Sequence, residues 1–401
     1  MERPDWDRIQ QIYQSALAKP PFERSLFLTI ACEQDPALIR EITLMLQTSD
    51  SIRGFLEKPL FEMGLRIIGS NRFPAPENLV GTTIDGRYLL EEELGQGGIG
   101  TVYLARDQQL HNRPVVIKIL LQSSLLDSYV VKKFKHEIEA LSRVNHPGVV
   151  GLLGAGNLDD GKPYLVMQYV SGPTLRSEIV TNGMDLGRVA SIIRQIGVAL
   201  DDVHDKGILH RDLKPENIML QRLNDGTELV KIVDFGIAKV NDSTLDSATS
   251  RRATLGTILY SSPEQVRGDR LSVASDIYSL AVIAYELSTG RRPFIASTAS
   301  QLLDLQRAGV SALPVELRTD ITRDAQSIIL KALSFKSTDR YRRAGDFGRR
   351  LASALERSVH ETRYSDGWRR RMFEGSLALL VCGTALLGIS RYARASEIPE
   401  K

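Results

Sequence analysis

The stretch His210-Arg211-Asp212-Leu213-Lys214-Pro215-Glu216-Asn217 places an acid, a lysine and an amide on one short loop. Asp212 has the chemistry to orient a hydroxyl and accept its proton. Asn217 can hold a magnesium ion, and Lys214 can neutralise a phosphoryl group in transfer. Eight residues are not enough alone. Such chemistry also needs a nucleotide clamp, a second metal ligand and a substrate platform, and the flanks supply all three in order.

The clamp comes first. Arg87 to Glu93 reads as a strand leading into Leu94-Gly95-Gln96-Gly97-Gly98-Ile99-Gly100-Thr101-Val102-Tyr103. Glycines at 95, 97 and 100 let a hairpin close over phosphates where side chains would collide. The same spacing opens a helix in dinucleotide-binding units, but here Val102, Tyr103 and Leu104 continue as strand. Val115-Val116-Ile117-Lys118 is a buried-looking strand ending in a lysine, and a lysine is rarely buried unless paired. Its partner is expected on a helix over 130–144, with Glu137 pointing inward and Glu139 a solvent-facing neighbour. The pair would hold Lys118 against the α and β phosphates.

Two more strands are expected near 149–157 and 163–168, joined by the hairpin signal Asp159-Asp160-Gly161. Residues 167–170 would form a hinge whose backbone reads an adenine edge, with Met167 behind it and Met219 beneath. Core packing explains Met167 equally well. Leu186 to Lys206 reads as a long apolar helix delivering the chain to the catalytic loop. Asn224-Asp225-Gly226 turns a second hairpin and leads to Asp234-Phe235-Gly236. Asp234, the second metal carboxylate, follows a run of apolar residues where an unpaired charge would be costly.

Residues 240–255 are rich in Ser and Thr. They read as an exposed loop, or as a segment whose phosphorylation, with Thr249 favoured, would create a partner for Arg211. Gly256 to Glu264 would form a peptide platform, with Thr257 hydrogen-bonded to Asp212 and Lys214. Glu264 needs a buried partner, for which Arg340 is the candidate. Asp276 begins a long apolar helix and would cap the catalytic-loop backbone from below. Helices continue to about Ser358.

The whole chain has 401 residues, 51 Lys plus Arg against 49 Asp plus Glu, and a net charge of +2. No strong field points to nucleic acid. Cys32 and Cys382 are far apart, which argues against a disulfide framework. Residues 1–50 read as a small helical module, with Asp35 capping a helix that starts at Pro36. Residues 51–86, broken repeatedly by Gly and Pro, read as a linker. At the other end, 356–371 is a basic segment, 372–390 carries one charge, Glu374, and is expected to be a transmembrane helix, and 391–401 is a short tail. Insertion would attach the protein to the cytoplasmic membrane by a single pass with its catalytic part in the cytoplasm. Without it the chain would be soluble and cytoplasmic.

Across about 88–355 the chain resembles the eukaryotic-like serine/threonine protein kinases of bacteria. The glycine-rich loop, Lys118, Glu137, His210 to Asn217, Asp234-Phe235-Gly236 and Ser262-Pro263-Glu264 stand in family order and spacing. Lys214 and Thr257 resemble serine/threonine rather than tyrosine kinases. The resemblance implies an α+β, bilobal fold, with an antiparallel sheet and regulatory helix in the N-lobe and a mostly helical C-lobe. It implies transfer of the γ-phosphoryl of ATP to serine or threonine hydroxyls of protein substrates, with autophosphorylation of the activation segment and Mg2+ (or Mn2+) as the metal.

The implied nucleotide-binding residues are Gly95, Gln96, Gly97, Gly98, Gly100, Val102, Val116, Lys118, Glu137, Met167, Gln168, Val170, Met219 and Asp234. Asp212, Lys214, Asn217 and Thr257 are the implied catalytic residues, and Asn217 and Asp234 the metal ligands. A homodimer is a family expectation. Val116, Gln168, Ala281 and Ile99 depart from the commoner alanine, glutamate, glycine and methionine without removing a charge. The competing reading is a pseudokinase scaffold, which would have lost a chemical residue; each expected one is present.

Overall fold

The computed structural model describes residues 79–96, 100–120, 138–235 and 258–358, together with parts of 12–46. The described N-terminal part is helical. Helix α1 (Pro21–Ala31) packs with helical residues in 12–16 and 36–46 around Ile12, Ala16, Leu28, Cys32, Ile42 and Leu46. Asp35 accepts the Leu38 N–H at 3.3 Å, as its N-cap reading requires.

The N-lobe is a six-stranded antiparallel sheet made of β1 (Thr83–Ile84), β2 (Tyr88–Gln96), β3 (Gly100–Asp107), β4 (Arg113–Leu120), β5 (Leu152–Asn157) and β6 (Pro163–Gln168). Its spatial order is β1-β2-β3-β4-β6-β5. Strand β1 starts inside the stretch read from the sequence as linker. Alternation gives the sheet two unlike faces. Tyr103, Val115, Ile117, Ile119, Tyr164 and Val166 point into one apolar core. The register pairs Val102 with Lys118, Val116 with Met167, and Lys118 with Leu165, so these residues share the opposite face. Register shifts at Leu90/Glu92 and Glu93/Gly95 interrupt the β2–β3 ladder toward the glycine-rich end of β2.

The C-lobe is built on α3 (Leu186–Asp205) and α5 (Val273–Thr289), which lie in one continuous core. Short helices α2 (Leu175–Glu178), α4 (Pro263–Arg267), α6 (Ala299–Ala308), α7 (Pro314–Leu317) and α8 (Arg323–Ala332), and a last helix over 344–358, surround them. Every residue of α5 from Ser275 to Thr289 is buried, as expected of a helix apolar nearly all round. Strands β7 (Ile218–Arg222) and β8 (Glu228–Ile232) form the predicted second hairpin. Two bridges, Val149 to Ile232 and Thr174 to Met219, tie it to the segments around the hinge.

The expectation of a transmembrane helix is corrected. Among the described residues no helix is long and apolar enough to cross a membrane. Residues 372–390 lie outside the described residues, and sequence hydropathy over so short an uncharged run does not by itself separate a span from other apolar segments. Gly97, Gly98, Glu137, Thr257 and the 240–255 segment also lie outside the described residues.

Candidate active site

The catalytic loop descends from α3 and is held from below by one carboxylate. Asp276, in the first turn of α5, accepts the backbone N–H of His210 at 2.8 Å and of Arg211 at 2.9 Å. The same carboxylate bonds to His204 Nε2 at 2.8 Å. Burial opposes the charge on Asp276, but His204 and His210 outweigh it and leave its pKa below the usual carboxylate value. The cap matters because Arg211 sits at φ +62°, in the left-handed region that a bulky side chain rarely adopts.

His210 is wholly buried, and burial lowers its pKa. A neutral ring suits its contacts: Nε2–H donates to the Val233 carbonyl at 3.2 Å, and Nδ1 accepts the Asp212 N–H at 3.3 Å. The ring also packs on Phe235, with centroids 4.7 Å apart. The histidine therefore joins the catalytic loop to the strand end that carries Asp234.

Within the loop, Lys214 Nζ donates to Asp212 Oδ2 at 3.0 Å. Asn217 Nδ2 donates to the Asp212 carbonyl at 2.8 Å and to Asp212 Oδ2 at 3.2 Å. The Asn217 backbone accepts the Val233 N–H at 2.9 Å. Acid, lysine and amide thus form one cluster, as the spacing predicts. Asp234 lies just beyond, at φ +56°, and forms an ion pair through Oδ1 with Lys118 of the N-lobe sheet. The sequence reading chose Glu137 as the partner of Lys118; Glu137 lies outside the described residues, and among those described Lys118 pairs with Asp234.

The donor chemistry fits a hard cation. The Asn217 NH2 donates twice to Asp212, and the side-chain carbonyl oxygen is an acceptor of the kind a hard cation takes. Asp234 Oδ2 takes no part in the Lys118 pair. These are oxygen ligands of the type magnesium prefers. Among the described residues no group of three or more His, Cys, Asp or Glu stands arranged to hold a metal.

The residues expected to face the nucleotide lie on separate elements. Val102, Val116, Lys118 and Met167 lie on the sheet face described above. Met219 reaches the hinge side through its bridge to Thr174. Gln168 ends β6, and Val170 is buried just beyond it. Gly95 and Gln96 close β2. A Cβ on Gly100 would stand 2.2 Å from the Ile119 carbonyl oxygen, so only glycine lets β3 approach β4 there.

The platform is anchored by the expected pair. Arg340 and Glu264 are both buried and bond at 2.7 and 3.0 Å. Ser275 adds a bond to Glu264 at 2.8 Å. Gln265 of α4 donates to the Arg211 carbonyl at 2.8 Å and so ties the platform to the catalytic loop. The sequence reading missed a further cluster of Arg176, Glu216, Tyr260, Glu286 and Arg292. One signal was available: Glu286 is the single charged residue in the second half of α5, as Asp276 is in the first.

A profile of the protein kinase domain matches residues 88–345. The serine/threonine-protein kinase pkn3 of Myxococcus xanthus is 38% identical over 314 residues, covering 77% of this chain and 56% of the relative. The chain spans about half the length of the curated relatives it matches. Among solved structures, a double mutant of the Mycobacterium tuberculosis PknI kinase domain is 23% identical with a TM-score of 0.53, covering 71% of this chain and 100% of that one, a likeness of fold. A structure of Rad53 in complex with AMP-PNP is 28% identical with a TM-score of 0.54, covering 66% of this chain and 65% of that one.

Proposed function

The chain belongs to the protein kinase domain family, and from that premise we propose that it transfers the γ-phosphoryl of ATP to serine or threonine hydroxyls of proteins. The observation that carries this reading is the Asp212–Lys214–Asn217 cluster, standing on one loop beside the Lys118–Asp234 pair. The relatives named as serine/threonine kinases and the Rad53 complex with AMP-PNP support the same reading. We take 88–355 as the catalytic domain.

Asp212 orients the acceptor hydroxyl and receives its proton. Lys214, bonded to the same carboxylate, offsets charge on the group in transfer. Asn217 and Asp234 would hold magnesium, which supplies charge neutralisation to the phosphates when bound. Lys118 and the backbone of the Gly97–Gly100 stretch orient the phosphates. Val102, Val116 and Met219 sandwich the adenine, and the 168–170 backbone meets its edge. Thr257 steadies Asp212 and Lys214. The residues contribute position and electrostatics, with no covalent enzyme intermediate. Protein substrates are the acceptors. The activation segment is itself a substrate, and two copies of the chain would provide donor and acceptor.

The test is incubation of the full chain with γ-labelled ATP and magnesium beside Asp212→Asn and Asp234→Asn. Label on serine or threonine in the wild type is expected, reduced in either variant by at least about 100-fold. Equal labelling by wild type and both variants would overturn the assignment.

A further inference from the structure

The peptide that joins Arg211 to Asp212 is held at both of its polar ends. Its N–H, on Asp212, donates to the His210 carbonyl at 2.8 Å and closes a three-residue turn over Arg211. Arg211 stands at φ +62° in the centre of that turn, which is the strained hand of the motif. The carbonyl of the same peptide, on Arg211, accepts from Gln265 Nε2 at 2.8 Å. Gln265 is the third residue of α4. The other half of its side-chain amide is also engaged: Oε1 accepts the Ser262 N–H at 2.9 Å and the Ser262 hydroxyl at 3.2 Å. With the Gln265 N–H reaching Ser262 Oγ at 3.4 Å, these bonds form a capping box at the start of α4.

The partners fix which way this amide faces. The Ser262 N–H can only donate and takes the oxygen, and the Arg211 carbonyl can only accept and takes the NH2. A capping box is served equally well by glutamate or glutamine. Only glutamine serves the catalytic loop as well. The element that carries it is anchored in the C-lobe, because Glu264 beside it is bonded to the buried Arg340 at 2.7 Å. Turning the Arg211–Asp212 peptide would change ψ of Arg211 and φ of Asp212 together, since the peptide itself is rigid. The Asp212 carboxylate would then swing away from Lys214 and Asn217, which bond to its Oδ2 at 3.0 and 3.2 Å.

We propose that Gln265 is a positioning residue for phosphoryl transfer: its NH2 fixes the Arg211–Asp212 peptide and so aims the Asp212 carboxylate at the acceptor hydroxyl, while its oxygen caps the platform helix. The inference rests on the phosphotransferase reading above. The two halves of one amide then have separable consequences. Rate follows the donor, and stability follows the acceptor. A purely structural glutamine would tie the two together, and activity would fall only as far as the folded fraction falls.

The experiment uses the full chain, ATP with magnesium and a serine peptide, and compares Gln265→Glu with Gln265→Met. Gln265→Glu keeps an oxygen for Ser262 and loses the donor to Arg211. It should lower kcat roughly 10- to 100-fold, the scale of a misdirected catalytic group, and leave the KM for ATP within about twofold of wild type. Its urea midpoint should stay near that of the wild type. Gln265→Met loses both bonds and should show a similar fall in kcat together with a lower midpoint. If the glutamate form does not fold, the uncharged methionine form carries the kcat test. A folded variant without the donor that keeps wild-type kcat overturns the proposal. So does a kcat that falls only in step with the urea midpoint, and so does failure of both variants to fold, which would make Gln265 structural. Failure of the wild type to label the peptide or itself would count instead against the phosphotransferase reading.

Discussion

Asp276 of α5 accepts the backbone N–H of Arg211, 65 residues earlier in the chain, at 2.9 Å, and thereby holds a residue at φ +62°. The contact links the buried core of the C-lobe directly to the loop that carries Asp212. An isolated left-handed arginine costs free energy, and a buried carboxylate accepting two backbone donors offsets it.

Asp276→Asn is therefore expected to reduce kcat more than it changes the KM for ATP. The amide keeps one acceptor but turns an NH2 toward the loop donors or His204. That leaves at least one buried donor unsatisfied, at a cost of about 1–3 kcal/mol. Steady-state kinetics and urea unfolding of the variant check this. A folded variant with unaltered kcat would show that the cap does not govern loop geometry.

The Glu264–Arg340 pair has almost no exposed side-chain surface, 7% and 0% respectively. Breaking one partner leaves a charge buried. Glu264→Gln should cost about 3–5 kcal/mol in chemical unfolding. The double variant Glu264→Gln with Arg340→Met should cost less than the sum of the two single changes, because the second removes the stranded cation. Additive losses would mean that the two side chains stabilise the platform independently.

Stability should fall in two stages as pH is lowered. Burial holds His210 and His146 below the ordinary histidine value of 6.5. Below about pH 6.5 the unfolded chain takes up these protons first, so stability declines as pH falls through that value. Asp276 and Glu264 are held below their ordinary 3.8 and 4.5. For Glu264, burial opposes the shift and Arg340 outweighs it. The contribution of these carboxylates is complete above their unfolded values and is lost as pH drops through the lower folded ones. Urea midpoints measured from pH 7.5 down to about pH 2 should trace both stages. A flat profile between pH 7.5 and 5 would argue against the neutral, buried state of His210.

Much of this was legible in the sequence because its causes are local. The stretches at 87–93, 115–118 and 163–168 read as strands, and strands cover all of them but Arg87. Asp-Asp-Gly and Asn-Asp-Gly marked the two hairpins, whose glycines sit at φ +87° and +81°. Asp212, Lys214 and Asn217 lie within six residues, so one loop must bring them together. The buried acids at 264 and 276 announced themselves as charges in apolar surroundings, which must find partners.

Tertiary structure decided who those partners are. Lys118 meets Asp234 across 116 residues of chain, and Arg176 meets Glu286 across 110. Nothing local distinguishes Arg176 from any other helix arginine, because its contacts exist only once α2, the catalytic loop, Tyr260 and α5 converge. Sequence reveals the residue types that cannot be buried alone. Packing selects which opposite charge shares the burial, because desolvation makes each ion pair a property of the assembled site and not of either residue.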